Sequence, residues 1–168
     1  EYRGMMTLAR KLSLVDTPKG LRLSSAPFGT LGEIMVSTAV IKGEKAVESQ
    51  VFGLRVEGHR NFAITLSNEV GEELVFGVNE NDNIFMDRSK AGDKTFSEIF
   101  ASDIFSKVEK ERLFTGAITM EAIFDVAMLE VFADRGTFAC AQVVYPTTPY
   151  NRISIEGEAK VTYYDVKL

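Results

Sequence analysis

Residues 128–146 read MLEVFADRGTFACAQVVYP, and this stretch decides the fold. On either side of Asp134-Arg135-Gly136 the side chains alternate between two faces, which is the period-two signature of a β-strand. Gly136 can supply the positive φ that a tight turn needs, so the stretch predicts a β-hairpin. Both faces of this hairpin are largely apolar. Such a hairpin belongs between covering layers, and we therefore expect it in the middle of a sheet of a sandwich.

The rest of the chain repeats this short alternation. Apolar residues recur at every second position in residues 52–56, 62–66 and 74–78, and tight turns separate these segments. The phase of the alternation slips between Tyr163 and Tyr164, as a β-bulge allows. About a dozen short strands result at the spacing typical of a sandwich. The sequence therefore predicts an all-β fold, a two-sheet antiparallel β-sandwich of the jelly-roll or concanavalin-like type.

One segment interrupts the strand pattern. Between Ser89 and Arg112 the chain is rich in Ser and Asp, and its apolar residues have helix-like spacings. The residues at those spacings are Phe96, Ile99, Phe100 and Ile104. We expect a long excursion from the sheets here, with one helical turn.

Composition limits the class of protein. The 168 residues, 45% of them hydrophobic, are enough for one core, so we expect a single domain over residues 1–168. The net charge of −5, with no basic cluster, argues against a nucleic acid or an anionic membrane as partner. No apolar run is long enough to cross a bilayer. The single cysteine, Cys140, excludes an internal disulfide and a cysteine zinc site, and no cofactor or metal motif occurs.

The first residues, EYRGMMTLARKLSL, begin a strand pattern without an initiator Met, a basic region or an apolar leader. We therefore expect the chain to be a module of something longer. The same strand pattern places Arg10 on one face with Met6, Leu8, Leu12 and Leu14. A guanidinium among apolar neighbours needs a carboxylate or several carbonyls.

Three carboxylates near the hairpin invite a catalytic interpretation: Asp125, Glu130 and Asp134. The Cα atoms of Glu130 and Asp134 would be about 13 Å apart along a strand, which is long for a glycosidase pair. Glu130 lies between two apolar residues of its strand face and needs a cation. We expect Arg10 to be that cation, with Arg88 as the competing partner, in a structural ion pair rather than a catalytic site.

The remaining candidates for chemistry are weak. His59 is the only histidine, lies at a turn, and has no nucleophile, phosphate-loop or metal motif with it. Twelve Phe and no Trp favour core packing over a sugar-binding platform. Four tyrosines stay open as surface contacts: Tyr145, Tyr150, Tyr163 and Tyr164.

Three segments together resemble one family. The opening YRGMMTLARKLSL is similar to the R-G-x-M-S-x-P-R-E-L-S-L entry into the C-terminal β-sandwich of glycoside hydrolase family 32, the invertase, inulinase and levanase group. Residues 85–89, FMDRS, resemble that domain's D-R-S/T segment. Residues 128–146 resemble its L-E-V-F-x-N-D-G … F-P segment. The chain departs from the pattern with Ala9 for Pro, Lys11 for Glu, and Ala133-Asp134-Arg135 for the commoner Asn-Asp pair.

The resemblance covers essentially the whole chain and implies a role without catalysis. In that family the active residues lie in an N-terminal five-bladed propeller, in motifs resembling W-M-N-D-P-N-G, R-D-P and E-C, and none of these motifs occurs here. The chain would be the sandwich that packs against the propeller of the same polypeptide in a fructan or sucrose hydrolase. Contacts with a fructan oligosaccharide or a second copy are further implied partners. A location outside the cell, in the periplasm or at the cell surface, is the expectation because polymeric fructans are extracellular.

Three functions therefore compete. A supporting domain requires an exposed apolar patch of several hundred Å². A sugar-binding module requires a groove with an exposed Tyr or Phe beside polar side chains. A stand-alone jelly-roll glycosidase would use two of the three carboxylates, and a Glu130 bonded to an arginine in the core, away from any cleft, would remove this hypothesis. Whether the parent acts on sucrose, inulin or levan stays open.

Overall fold

Two six-stranded antiparallel sheets and a separate two-stranded hairpin make up the fold. They are seen in a computed structural model that describes residues 5–29 and 34–166. The predicted all-β antiparallel sandwich is therefore confirmed. No helix among the described residues is long and apolar enough to cross a membrane.

The first sheet, here called the front sheet, has the strand order β12-β11-β10-β5-β14-β3. Neighbouring strands run antiparallel throughout it. Its strands, in chain order, are β3 (Met35–Ile41), β5 (Val51–Gly58), β10 (Ile118–Asp125), β11 (Met128–Ala133), β12 (Phe138–Val143) and β14 (Ala159–Val166).

The second sheet, the back sheet, has the order β4-β13-β6-β7-β8-β9 and is also antiparallel. Its strands are β4 (Glu44–Ala46), β6 (Phe62–Ser67), β7 (Glu73–Val78), β8 (Asn83–Lys90), β9 (Lys107–Glu111) and β13 (Arg152–Glu156).

The core fills the space between the two sheets, because alternate side chains of each strand point inward. The three segments whose alternation predicted strands supply much of it, and their inward residues are almost completely buried. These residues are Phe52, Leu54, Val56, Phe62, Ile64, Leu66, Leu74, Phe76 and Val78. The predicted bulge is confirmed as well, since the pairing of β14 with β3 shifts register between Tyr163 and Tyr164.

The outer hairpin consists of β1 (Arg10–Val15) and β2 (Arg22–Pro27), with Leu14 opposite Leu23. The first strand thus starts at Arg10 and not at Met6. Leu12 and Leu14, which the alternation placed among apolar neighbours, are 61% and 71% exposed. The pattern identified their shared face correctly, but Leu12 and Leu14 are exposed on it, whereas Arg10 on the same strand reaches Glu130 of the front sheet.

The hairpin of residues 128–146 is not in the middle of its sheet. β12 is the edge strand of the front sheet and β11 is the next strand inward, so the expected central position was wrong. All six residues of β11 are nevertheless buried. Its inner face meets the core, and the outer hairpin contacts the other side of the β11–β12 unit. The two apolar faces correctly indicated that both sides of the hairpin are covered. A hairpin at the edge of a sheet can also be covered on both sides, so this pattern does not require a central position.

The excursion between residues 89 and 112 holds more regular structure than expected. It contains two single-turn helices, α1 (Glu98–Ala101) and α2 (Asp103–Ser106), followed by β9. β9 reads KVEKE and was not predicted. It is an edge strand with four charged residues, which protect an edge from further pairing and also conceal the apolar alternation.

Candidate functional site

Glu130 and Arg10 form an ion pair where the N-terminal segment crosses the front sheet. Arg10 Nη2 lies 2.9 Å from Glu130 Oε2, and the backbone N–H of Leu8 donates to Oε1 at 2.7 Å. The Glu130 side chain is 4% exposed, and the Arg10 guanidinium also lies over the ring of Phe132. Both carboxylate oxygens are thus engaged by a cation and a backbone amide, which fastens residues 8–10 to β11.

Arg88 lies elsewhere, between the two sheets, and does not contact Glu130. Its Nε donates to Gln142 Oε1 at 2.9 Å, and its guanidinium also donates to the carbonyls of Phe100 and Phe105. The guanidinium carbon is 3.6 Å from the centroid of the Phe100 ring. Burial lowers the pKa of the Arg88 guanidinium. Arg88 therefore ties the helical excursion to β12 through neutral groups and an aromatic face.

One concavity is a groove of about 370 Å³, which we call the Arg135 groove. It is lined by the end of β2, by residues 114–115 and 117–119, by Glu121 and Phe132, and by the turn Asp134–Gly136. The guanidinium of Arg135 stacks on the ring of Phe114, with its carbon 4.1 Å from the ring centroid. An aromatic ring, a cation, a carboxylate and exposed threonines thus meet in one groove.

Two buried charged side chains hold the walls of this groove. Arg112 Nη2 donates to Gly116 O at 3.0 Å, and Nη1 donates to Asp82 Oδ1 at 2.8 Å and His59 O at 3.1 Å. Asp134 Oδ2 accepts from the backbone N–H of Leu113 at 2.6 Å. The two charged groups also lie close together, at 3.8 Å between Arg112 Nε and Asp134 Oδ1. The loop and the turn are therefore fixed relative to each other.

The turn itself has an unusual backbone. Asp134, Arg135 and Gly136 all have positive φ, at 52°, 59° and 80°. A Cβ on Gly136 would lie 2.4 Å from Ser24 Oγ, so only glycine lets the outer hairpin approach this closely. Ser24 Oγ also donates to Arg135 O at 2.9 Å. These contacts place β2 against the turn and close one side of the groove.

The three carboxylates do not form a catalytic pair. Asp125 is exposed at the end of β10. The Glu130 carboxylate accepts hydrogen bonds from Arg10 and from the Leu8 amide. The Asp134 carboxylate accepts them from the Leu113 amide and the Thr137 hydroxyl. Glu130 is also not among the residues that line the Arg135 groove. This geometry argues against a stand-alone glycosidase built on these residues.

The other candidate residues have structural surroundings. His59 is exposed, and its carbonyl accepts the bond from Arg112. Burial raises the pKa of the Cys140 thiol, which disfavours the nucleophilic thiolate. No group of three or more His, Cys, Asp or Glu side chains within residues 5–29 and 34–166 could hold a metal ion.

Two of the four tyrosines kept as surface contacts are buried instead. Tyr150 is completely buried, burial raises the pKa of its phenol, and its hydroxyl donates to Ala91 O at 2.7 Å. Tyr163 stacks on Phe52 in the core. Tyr145 is exposed and meets Phe96 edge-on, whereas Tyr164 is half-buried. These tyrosines give no flat platform for a sugar.

Of the residues that line the Arg135 groove, the sequence singles out only Asp134 as a candidate for function. Phe114 and Glu121 carry no motif, and in the sequence Arg112 marks only the end of the excursion. One signal was available: Asp134 and Arg135 belong to the tripeptide that departs from the family's Asn-Asp pattern. All three residues of this tripeptide, 133–135, line the Arg135 groove.

Exposed leucines form a second feature of the surface. We call Leu12, Leu14, Leu21 and Leu23 of the outer hairpin the leucine face, and each is more than half exposed. Their strand register puts Leu14 directly opposite Leu23. Clusters of large apolar side chains in water are characteristic of surfaces that meet a partner. A second set of four exposed apolar residues lies around the two helices: Phe96, Ile99, Ile104 and Phe105.

Comparison with known proteins gives a consistent result. Residues 16–168 match the family model described as "Glycosyl hydrolases family 32 C terminal". A levanase from Bacillus sp. (strain L7) is 21% identical over 176 residues, covering 94% of this chain and 19% of the levanase. The chain therefore spans about a fifth of the length of this curated relative.

Solved structures show the same fold. The chain superposes on exo-inulinase from Aspergillus awamori with a TM-score of 0.77 at 18% identity, covering 94% of this chain and 35% of the inulinase. β-Fructofuranosidase from Schwanniomyces occidentalis gives a TM-score of 0.71 at 13% identity, covering 96% of this chain and 40% of that enzyme. At these identities the likeness concerns the fold.

Proposed function

The chain belongs to the C-terminal family of glycosyl hydrolases family 32, and from this premise we propose that it is a non-catalytic β-sandwich module of a β-fructofuranosidase-type enzyme. In this proposal the module packs on and stabilises a catalytic domain that precedes it in the same polypeptide. The parent enzyme hydrolyses the O-glycosidic bonds of fructans or sucrose. The names of the similar proteins, levanase, exo-inulinase and β-fructofuranosidase, support this substrate class.

The observation that carries the proposal is the leucine face. Four exposed leucines on one two-stranded hairpin are costly in water and stabilising against an apolar partner, at about 25 cal/mol for each Å² of apolar surface buried. The outer hairpin is the first element of the described chain. In a C-terminal module it therefore lies nearest in sequence to the preceding domain, which supports that domain as the partner of the leucine face.

The carboxylates support a non-catalytic role. Glu130 and Asp134 each accept hydrogen bonds from a backbone amide, at 2.7 Å and 2.6 Å, and each lies near an arginine. A catalytic acid or nucleophile needs access to substrate, whereas these groups are 3% and 5% exposed. Their contacts account for their presence as structural anchors.

The proposal includes a location outside the cell, since the polymeric substrates are extracellular. A second candidate function is carbohydrate binding, and the Arg135 groove favours it. The groove has the combination required of such a site, an aromatic ring beside polar side chains. The two functions are compatible, because the leucine face and the groove are different surfaces.

The experiment that tests the proposed function uses this chain and the separately expressed catalytic domain of its parent. Fructose release from sucrose, inulin and levan is measured for the chain alone and after mixing. We expect no release by the chain alone and a higher melting temperature of the catalytic domain after mixing. A ligand at 100 times its Kd adds about 2.7 kcal/mol of stability.

Matched variants locate the contact. Replacing Leu14 and Leu23 by Glu should abolish the stabilisation, whereas Val70→Glu, at another exposed apolar residue, should preserve it. Light scattering tests whether a second copy occupies the leucine face instead. Fructose release by the chain alone, the absence of stabilisation, or dimerisation through the leucine face would each overturn the proposal.

A further inference from the structure

The walls of the Arg135 groove are fixed before any ligand arrives. Residues 113–117 bend around the Arg112 guanidinium, whose side chain is 2% exposed, and Asp134 joins the turn to this loop. On the other side Ser24 and Gly136 hold β2 against the turn. A site with fixed walls loses little conformational entropy on binding, which is an advantage for a small ligand.

The chemistry of the groove is balanced in charge. Asp134 in its lining is paired with Arg112, and the remaining charges are the exposed guanidinium of Arg135 and the carboxylate of Glu121. Glu121 has only a long contact of 3.5 Å with Arg55, and both side chains are partly exposed. The carboxylate can therefore accept further hydrogen bonds from a ligand, and the guanidinium can donate them.

Apolar and polar groups line the same space. Phe114, Pro27 and Phe132 offer apolar contact, and the exposed residues Thr115 and Thr119 add hydroxyls to the lining. A volume of about 370 Å³ is within the range of about 300–1,000 Å³ that is typical of small-molecule pockets. The groove therefore fits a ligand that has both C–H surface and many hydroxyls.

We propose that the Arg135 groove is a binding site for the end of a neutral fructosyl oligosaccharide. Glu121 accepts hydrogen bonds from adjacent hydroxyls, Arg135 donates to ring or hydroxyl oxygens, and Phe114 contacts the C–H face of the sugar. The choice of a fructosyl unit rests on the proposed function of the parent enzyme. The site itself rests on the groove and its fixed walls.

The charges favour a neutral ligand over an ionic one. A carboxylate ligand or a phosphate would gain from Arg135 but be repelled by Glu121, and a cationic ligand would have the opposite problem. A sugar can use both groups at once, since each hydroxyl both donates and accepts.

Isothermal titration of the 168-residue chain tests the site. The probes are inulobiose and levanbiose, with maltose as the sugar control and sodium sulfate as the anion control. We expect saturable heat with at least one fructosyl disaccharide and with neither control. Arg135→Asn keeps a residue that tolerates positive φ, and Glu121→Gln keeps the shape, so both variants should fold and melt like the wild type.

Each variant should weaken binding at least tenfold. The matched controls are Arg60→Asn and Glu48→Gln, which alter exposed residues away from the groove and should leave the affinity unchanged. No heat with either fructosyl disaccharide, equal binding of maltose, binding of sulfate alone, or full affinity in both groove variants would overturn the proposal. These results are independent of the stabilisation of the catalytic domain. A failure of this site and a failure of the supporting role are therefore distinguishable.

Discussion

Arg112 Nε lies 3.8 Å from Asp134 Oδ1, and the two side chains are only 2% and 3% exposed. The pair joins the loop after β9 to the turn between β11 and β12. Asp134 also accepts a hydrogen bond from the backbone N–H of Leu113 in that loop, 21 residues earlier in the chain. Buried charges of this kind are costly unless they are paired and hydrogen-bonded. Here that requirement fixes two segments that would otherwise be independent loops.

Removing the carboxylate should destabilise the domain strongly. We expect Asp134→Ala to lower the free energy of unfolding by about 3–5 kcal/mol, since it leaves the Arg112 charge short of a partner and the Leu113 amide without an acceptor. Asp134→Asn should cost less, because the amide oxygen can still accept from Leu113 and Asn tolerates the φ of 52°. Urea denaturation measures both. Asp125→Asn, at an exposed site, is the control, and equal losses for Asp134→Ala and Asp125→Asn would contradict the prediction.

The contact between Arg10 and Glu130 should appear as coupling in a double-mutant cycle. With Arg10→Met and Glu130→Gln, we expect a coupling energy of about 0.5–3 kcal/mol, because Glu130 is almost fully buried and Arg10 donates directly to it. The comparison cycle pairs Arg88→Met with Glu130→Gln. Since Arg88 bonds Gln142 and backbone carbonyls, these two changes should add to within about 0.5 kcal/mol. Stronger coupling to Arg88 than to Arg10 would show that the assignment of partners is wrong.

Alanine substitutions at two glycines test how much stability depends on the close approach of the outer hairpin to the turn at Gly136. Gly136 and Gly71 have nearly the same φ, 80° and 82°, but a Cβ meets Ser24 at Gly136 and nothing within 4 Å at Gly71. Gly71→Ala should cost about 1–2 kcal/mol from the backbone alone. Gly136→Ala should cost about 1–3 kcal/mol more from the clash, and should also make the outer hairpin more sensitive to protease. Equal losses of stability in the two variants would contradict this prediction, because they would mean that the outer hairpin can move away from residue 136 without a loss of folding free energy.

The stability contributed by Glu72 should depend on pH. Burial raises the pKa of its carboxyl, but hydrogen bonds from Asn68 and Thr147 outweigh this effect, and the pKa lies below its ordinary value of 4.5. A carboxyl with a lowered pKa in the folded state stabilises above the unfolded value and loses that contribution as the pH falls through the folded value. The difference in stability between the wild type and Glu72→Gln should therefore be full at neutral pH and shrink in this acidic range. A difference between the wild type and Glu72→Gln that does not change with pH would refute the prediction.

Much of the fold was predictable from local alternation. Residues such as Leu74, Phe76 and Val78 must face one side of a strand, and that side must be buried. The same period also located the bulge at Tyr163 and Tyr164. In β9 the apolar alternation disappears, because Val108 is its one apolar residue and the other four are charged. An edge strand needs few apolar residues.

The candidate site was less predictable. The apolar neighbours of Glu130 in its strand indicate that its carboxylate needs a cation. Arg10, which also lies among apolar residues in the sequence pattern, was one of two candidates for that cation. The Arg135 groove could not be inferred, because Phe114, Glu121 and Arg135 come from three segments without a shared motif. Their meeting depends on how the outer hairpin packs and on the buried contacts of Arg112 and Asp134.

The sequence by itself therefore determined the β class, the identity of the inward-facing residues and the resemblance to one family, because each depends on the order of neighbouring residues. The tertiary structure alone decided that residues 128–143 form the edge of their sheet, that Leu12 and Leu14 face outward, and which arginine meets Glu130. Alternation states which residues share a face but not what covers that face. The covering layer depends on contacts between segments about 100 residues apart, such as Ser24 and Arg135, and these arise only when the whole chain folds.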